Sequence, residues 1–269
     1  MKFYGITKDP ETKEFIMIVE IADMGSLRSV LSTNFNKLSW GEKIHDLHKL
    51  SLDLKILHDL GFYHRDFHSG NILQKTNMYS YSICLSDFGL SRPAYEQKSD
   101  DKVYGVLPYI APEVLDGKQY TKASDIYSFG VLMTEFSSGK LPFYNRKHDF
   151  TLALDICNGV RPEFGKGTPE FFKKLAYRCM NANPDQRPTA DELKDVLCFW
   201  VDVSFGQYYE KEIKEALEEA DKEIPNISTS YQKDSDAVYT SRAFTFSNLP
   251  NPVNSSLITS YLEKGENKN

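Results

Sequence analysis

Apolar residues along the chain recur with several distinct spacings. Phe15 to Val19 (FIMIV) is an unbroken run of β-formers behind the turn-forming stretch DPETK, and with Phe3 to Ile6 before that turn it predicts a hairpin. From Ser39 to Leu60, Ile44, Leu47, Leu50, Leu54 and Leu57 keep the three-and-four spacing of an amphipathic helix. Ser39 with Glu42 supplies a capping box for it, and Gly61 a stop. Ile72 and Leu73, then Ser82 to Leu85, read as two short strands around a polar turn. Ala123 to Ser138 is apolar almost all round, which places a helix in the interior. Thr168-Pro169 opens a further helix with an N-cap and a proline in its first turn, and Thr189 with Glu192 repeats the capping box. Gln207 to Ile224 carries Ile213, Leu217, Ala220 and Ile224 on one face and dense Glu and Lys elsewhere. This acidic amphipathic helix, over 203–224, docks either on its own domain or on a partner. After Pro225, Asn, Ser, Thr and Pro dominate, so 225–269 is expected to be a tail with little packed structure.

Composition narrows the class. With 269 residues, 41% of them hydrophobic, the chain has material for one domain with a sizeable core. A formal charge of -6 offers no basic field for nucleic acid. No apolar run reaches membrane-spanning length, and the start MKFYGITKDP lacks a signal-peptide core, so a soluble, cytoplasmic protein is expected. The four cysteines form no CxxC pair and read as reduced core thiols. His45, His48 and His58 lie within the helix at its surface or core edge, with no metal-ligand spacing around them.

The chemistry gathers between Gly61 and Gly89. His64-Arg65-Asp66 is followed five residues later by Asn71, then by the hairpin and Asp87-Phe88-Gly89. Moving a γ-phosphoryl group onto a hydroxyl needs an acceptor for the hydroxyl proton and divalent ions to neutralise the phosphate oxygens. Asp66 suits the first task. The hard oxygens of Asn71 and Asp87 suit magnesium, and the hairpin brings them towards each other.

These residues, together with Ala111-Pro112-Glu113, make the chain resemble a eukaryotic protein kinase, most similar to the tyrosine-kinase-like branch. The resemblance covers roughly residues 2 to 200. It implies an α+β, protein-kinase-like fold with a mostly helical large lobe over 23–202, and a truncated small-lobe strand pair with hinge over 1–22. It implies ATP and Mg2+ as cofactors and a protein hydroxyl as substrate, serine or threonine rather than tyrosine. By the same resemblance, Asp66 in its His64-Arg65-Asp66 loop is the catalytic base, and Asn71 and Asp87 are magnesium ligands. Backbone groups of Glu20 and Ala22 bond the adenine edge, Val19 guards the back of its pocket, and Leu73 forms the floor. Arg65 pairs with a phosphate on the activation segment, where Ser91, Tyr95, Ser99 and Tyr104 are candidates. Asp125 anchors the catalytic loop, and Arg187 pairs with Glu113.

The sequence also departs from the family pattern. A complete kinase carries a Gly-rich loop, a strand lysine and a helix glutamate ahead of the first strand seen here. Gly5 stands alone, and Lys2, Lys8 and Lys13 lack the pattern around that lysine. His68 stands where serine/threonine kinases usually carry lysine, close to the transferred phosphate, and Val106 stands where they carry threonine. The missing clamp keeps a second expectation open: a catalytically inactive kinase-fold fragment that acts as a protein-binding module.

Overall fold

The computed structural model describes residues 2–77, 81–93 and 102–263. The hairpin at the start forms as the pattern requires, with β1 (Phe3–Lys8) antiparallel to β2 (Phe15–Val19) and an irregularity between Phe3 and Gly5. All of β2 and nearly all of β1 is exposed, so this sheet touches solvent on both faces. A short β3 (Gly25–Ser26) leads into α1 (Leu27–Asn34), whose first turn is capped by Ser26.

The large lobe is built on two central helices. In α2 (Trp40–Asp59) the Ser39 hydroxyl accepts from the Glu42 N–H, and the Glu42 carboxylate accepts from the Ser39 N–H, which closes the predicted capping box. The helix stops at Gly61, in the left-handed region at φ 78°. Its apolar stripe, Ile44, Leu47, Leu50 and Leu54, is fully buried. After β4 (Phe62–Tyr63), β5 (Ile72–Thr76) and β6 (Tyr81–Leu85) form the second hairpin, and β3 pairs with the other edge of β5. β7 (Arg92–Pro93) pairs with β4.

The second central helix, α4 (Lys122–Ser138), follows the one-turn α3 (Pro112–Leu115) and is buried from Ser124 to Ser138. α6 (Glu170–Cys179) packs on it, while α5 (Phe150–Cys157) lies against α3 and α7 (Ala190–Ser204) against α2. α4 and α6 approach so closely at Gly130 that an added Cβ would lie 2.7 Å from Cys179 Cβ and 3.0 Å from the Ala176 carbonyl oxygen.

Two expectations differ from what is observed, and one of the two readings of the acidic helix is met. Thr168 does not cap α6: its hydroxyl donates to the Gly165 carbonyl, and Pro169 holds the N-cap position with no side-chain bond. The acidic helix α8 (Lys211–Glu223) has its apolar face, Leu217 and Ala220, buried in the core cluster of its own lobe, so that face is not open to a partner. Asp221 further ties α8 down by accepting the Trp40 N–H at the start of α2, at 2.7 Å.

The stretch after Pro225 is also packed. Ile227, Ala237, Tyr239, Phe244 and Ile258 are buried, β9 (Arg242–Phe244) pairs with β8 (Val103–Gly105), and α9 (Ser256–Glu263) lies against α6. The physical reason is that these apolar residues follow no regular period. They join the core cluster of the lobe one at a time, while the polar backbone between them bonds to neighbouring loops, as Asp234 N–H to the Tyr144 carbonyl and Val253 N–H to the Cys157 carbonyl.

Candidate active site

The loop after β4 is held by one buried carboxylate. Asp125, on the first turn of α4, accepts the backbone N–H groups of His64 (2.9 Å) and Arg65 (3.0 Å). The His58 ring, 2.9 Å away, completes its shell. His58, expected only at the surface or core edge of the helix, is instead buried against Asp125, because α2 and α4 meet there. These bonds hold Arg65 at φ 69°, a strained conformation for a non-glycine residue.

His64 is fully buried and joins the two motifs. Its Nδ1 accepts the Asp66 N–H, and its Nε2 lies 3.1 Å from the Ser86 carbonyl, one residue before Asp87. Burial holds its pKa below the ordinary value although Asp125 and Asp66 lie near, so the ring is neutral with its proton on Nε2.

Asp66 is buried, at 6% exposure. The Asn71 side-chain amide donates to its backbone carbonyl (3.0 Å) and to its Oδ2 (3.1 Å), which fixes the carboxylate plane and leaves the Asn71 oxygen for a cation. His68 is buried beside it, where Nδ1 accepts the Gly70 N–H at 3.0 Å. In the neutral ring the proton therefore sits on Nε2, 3.5 Å from Asp66 Oδ1. Burial alone would raise the Asp66 carboxyl. The His68 ring, then Ser241 and Asn71, more than offset it and hold the group below the usual carboxylate range.

The hairpin brings the two metal candidates to one end. β5 and β6 pair with Ile72 opposite Leu85, and both the N–H and the hydroxyl of Ser86 donate to the Asn71 carbonyl, which sets Asp87 just beyond Asn71. Asp87 is exposed, in the left-handed region at φ 59°, and accepts only the Gly89 N–H among the described residues. One free carboxylate and one free amide oxygen at the same hairpin end are the hard donors that magnesium prefers.

At the hinge, Met24 N–H donates to the Gln74 carbonyl and Ser26 pairs with Leu73, so Leu73 sits against the hinge segment. The Glu20 N–H is bonded to the Lys2 carbonyl, and the Ala22 carbonyl accepts from Gly25, while the Glu20 carbonyl and the Ala22 N–H stay open among the described residues. Val19 is 44% exposed at the end of β2. The segment thus leaves one acceptor and one donor open.

Arg65 stacks over the Tyr120 ring at 4.7 Å and shares a recess with Leu90, Arg92, Lys102 and Tyr104. Of the activation-segment hydroxyls, Tyr95 and Ser99 lie outside the described residues, and the Ser91 hydroxyl donates to the His64 carbonyl at 3.4 Å. The scaffold pair forms as expected: Arg187 grips both Glu113 carboxylate oxygens at 2.7 Å.

One contact had no signal in the sequence. The hydroxyl of Ser241 donates to Asp66 Oδ2 across 175 positions. Nothing in the composition of 225–269 marks one serine among many for that position.

The comparisons show the family. Residues 1–197 match the family of protein tyrosine and serine/threonine kinases, and the chain belongs to that family. A serine/threonine-protein kinase of Dictyostelium discoideum is 31% identical over 68% of this chain and 11% of its own length. Another from the same organism is 35% identical over 66% of this chain and 17% of its own length. A serine/threonine-protein kinase/receptor of Acanthamoeba polyphaga mimivirus is 34% identical over 66% of this chain and 10% of its own length. The chain thus spans between a tenth and a fifth of the length of these relatives.

Proposed function

We propose that these residues form the hinge and catalytic lobe of a protein kinase of the tyrosine-kinase-like branch, which transfers the γ-phosphate of ATP to a serine or threonine hydroxyl. The observation that carries this reading is the state of Asp66: buried, held below the usual carboxylate range, and oriented by Asn71 in a loop that Asp125 pins. A carboxylate so held takes the hydroxyl proton as the transfer proceeds. Asn71 and Asp87 would hold magnesium, which supplies charge neutralisation on the phosphate oxygens. The open backbone groups of Glu20 and Ala22, with Val19 and Leu73, would seat the adenine. His68 presents a ring N–H where the family carries a lysine, and so keeps a hydrogen-bond donor beside Asp66. The recess of Arg65, Arg92 and Lys102 suits a phosphate on the activation segment. The names of the relatives, all serine/threonine-protein kinases, support the choice of acceptor.

The lysine and Gly-rich loop that grip the phosphates are not among these residues, so transfer is to be measured with these residues joined to a small lobe that supplies them. With labelled ATP and dephosphorylated casein, Asp66→Asn is expected to lower transfer by about two to four powers of ten. Asp87→Asn is expected to abolish magnesium-dependent nucleotide binding in titration calorimetry. Full transfer by the Asp66 variant would refute the assignment of the base.

A further inference from the structure

The stretch from Asp236 to Phe244 lies beside the candidate catalytic loop and ends in the three-residue strand β9. β9 pairs antiparallel with β8 of the activation segment, with Phe244 opposite Val103, Ala243 opposite Tyr104, and Arg242 opposite Gly105. Strand addition of this kind recognises any peptide backbone and sets its register, leaving side chains to select the sequence. The register is locked on both sides. Upstream, Arg28 donates to the Tyr239 carbonyl at 2.9 Å, and His148 Nδ1 lies 2.9 Å from the Val238 carbonyl. Downstream, Arg242 donates to the His148 carbonyl at 2.6 Å, and Phe244 is buried and stacked on Phe246.

That register delivers one hydroxyl to the catalytic carboxylate. Ser241, the residue before β9, donates to Asp66 Oδ2. The neighbouring hydroxyl of Tyr239 is committed to the Pro142 carbonyl at 2.8 Å and faces away from the site. Gly105, opposite Arg242, lies beside the carboxylate in a conformation that favours glycine, at φ 140°, and an added Cβ there would be in contact with Asp66 Oδ1 at 3.5 Å.

We propose that this segment is an acceptor peptide held in cis and that Ser241 is an intramolecular phosphorylation site. The inference rests on the kinase reading above. The Ser241 oxygen bonds to the γ-phosphorus of a magnesium-bound nucleoside triphosphate. The bond from that phosphorus to the bridging oxygen breaks, the nucleoside diphosphate leaves with the electron pair, and the hydroxyl proton passes to the Asp66 carboxylate. Once Asp66 has released that proton to solvent, the product sets about -1.5 to -2 charges of phosphoserine against the ionised carboxylate. Like charges at that distance repel, so β9 leaves β8 and the groove opens for a protein substrate. Until then the segment blocks it.

The test uses these residues joined to the same small lobe, with magnesium-ATP, and phosphate is mapped by mass spectrometry. Ser241 is expected to gain phosphate at a fractional rate unchanged over a hundredfold dilution, and to gain none in Asp66→Asn. Labelling of added dephosphorylated casein with Ser241 left bare overturns the proposal and spares the kinase reading, as does a Ser241 rate that falls with dilution. Labelling of neither overturns both. A second readout needs no activity. In hydrogen exchange, Ser241→Glu is expected to speed exchange of residues 103–105 at least tenfold, and exchange equal to that of the unmodified protein overturns the release step.

Discussion

Lys43 sits on α2 with its side chain fully buried, its ammonium 3.8 Å from the centre of the Phe35 ring and with no hydrogen-bond acceptor among the described residues. Burial lowers its pKa to about 7, against the partial support of the Asp221 and Glu42 charges. In the unfolded chain a lysine titrates near 10.4. Between about 7 and that value the unfolded chain binds more protons, so stability rises with pH across the window, and below it the cost of the buried charge is felt in full. Lys43→Met keeps the stem and is expected to stabilise the lobe by about 1–4 kcal/mol at pH 6. It is also expected to flatten the pH dependence, as urea unfolding at pH 6, 8 and 10 would show. Arg187 is the opposite case, since its two 2.7 Å bonds satisfy the buried Glu113 carboxylate. Arg187→Met strands that charge and is expected to cost about 3–5 kcal/mol, read as a fall in thermal midpoint. At this scale the site was largely legible. His64, Asp66, Asn71 and Asp87 are placed by short-range spacing and one hairpin, whereas His58 and Ser241 gain their roles only through contacts 67 and 175 positions away.

Elements were legible where a periodic stripe coincided with a local cap. α2 and α7 both start at the expected Ser/Thr-x-x-Glu boxes, because each cap and its partner lie within one turn. Thr168 had the same local chemistry but a nearer acceptor in the Gly165 carbonyl, at 2.6 Å, so the hydroxyl turned away from the helix. The close approach of α4 and α6 was not legible at all. A glycine inside an apolar helix gives no hint of what it faces, and Gly130 faces Cys179, Met180 and the Ala176 carbonyl, all within 3.0 Å of an added Cβ. Gly130→Ala would gain about 1 kcal/mol in helix propensity. The crowding outweighs it, and a net loss of about 1–3 kcal/mol in urea unfolding is expected.

For the whole molecule, the pattern located the lobe and its hinge but not its wrapping. Tail residues carry no period because they match recesses made by other elements, so their partners are invisible until the lobe exists. Ile227 joins the main core, Tyr231 stacks on Tyr144 with ring centres 4.3 Å apart, and Tyr261 lies against Tyr177 at 4.8 Å. The distance in sequence between Asp66 and Ser241 also has a consequence for synthesis. A ribosome adding about 5–20 residues per second needs roughly nine to 35 seconds to pass from one to the other, 175 positions apart. For that interval the nascent chain carries its candidate catalytic loop without the strand that later covers it.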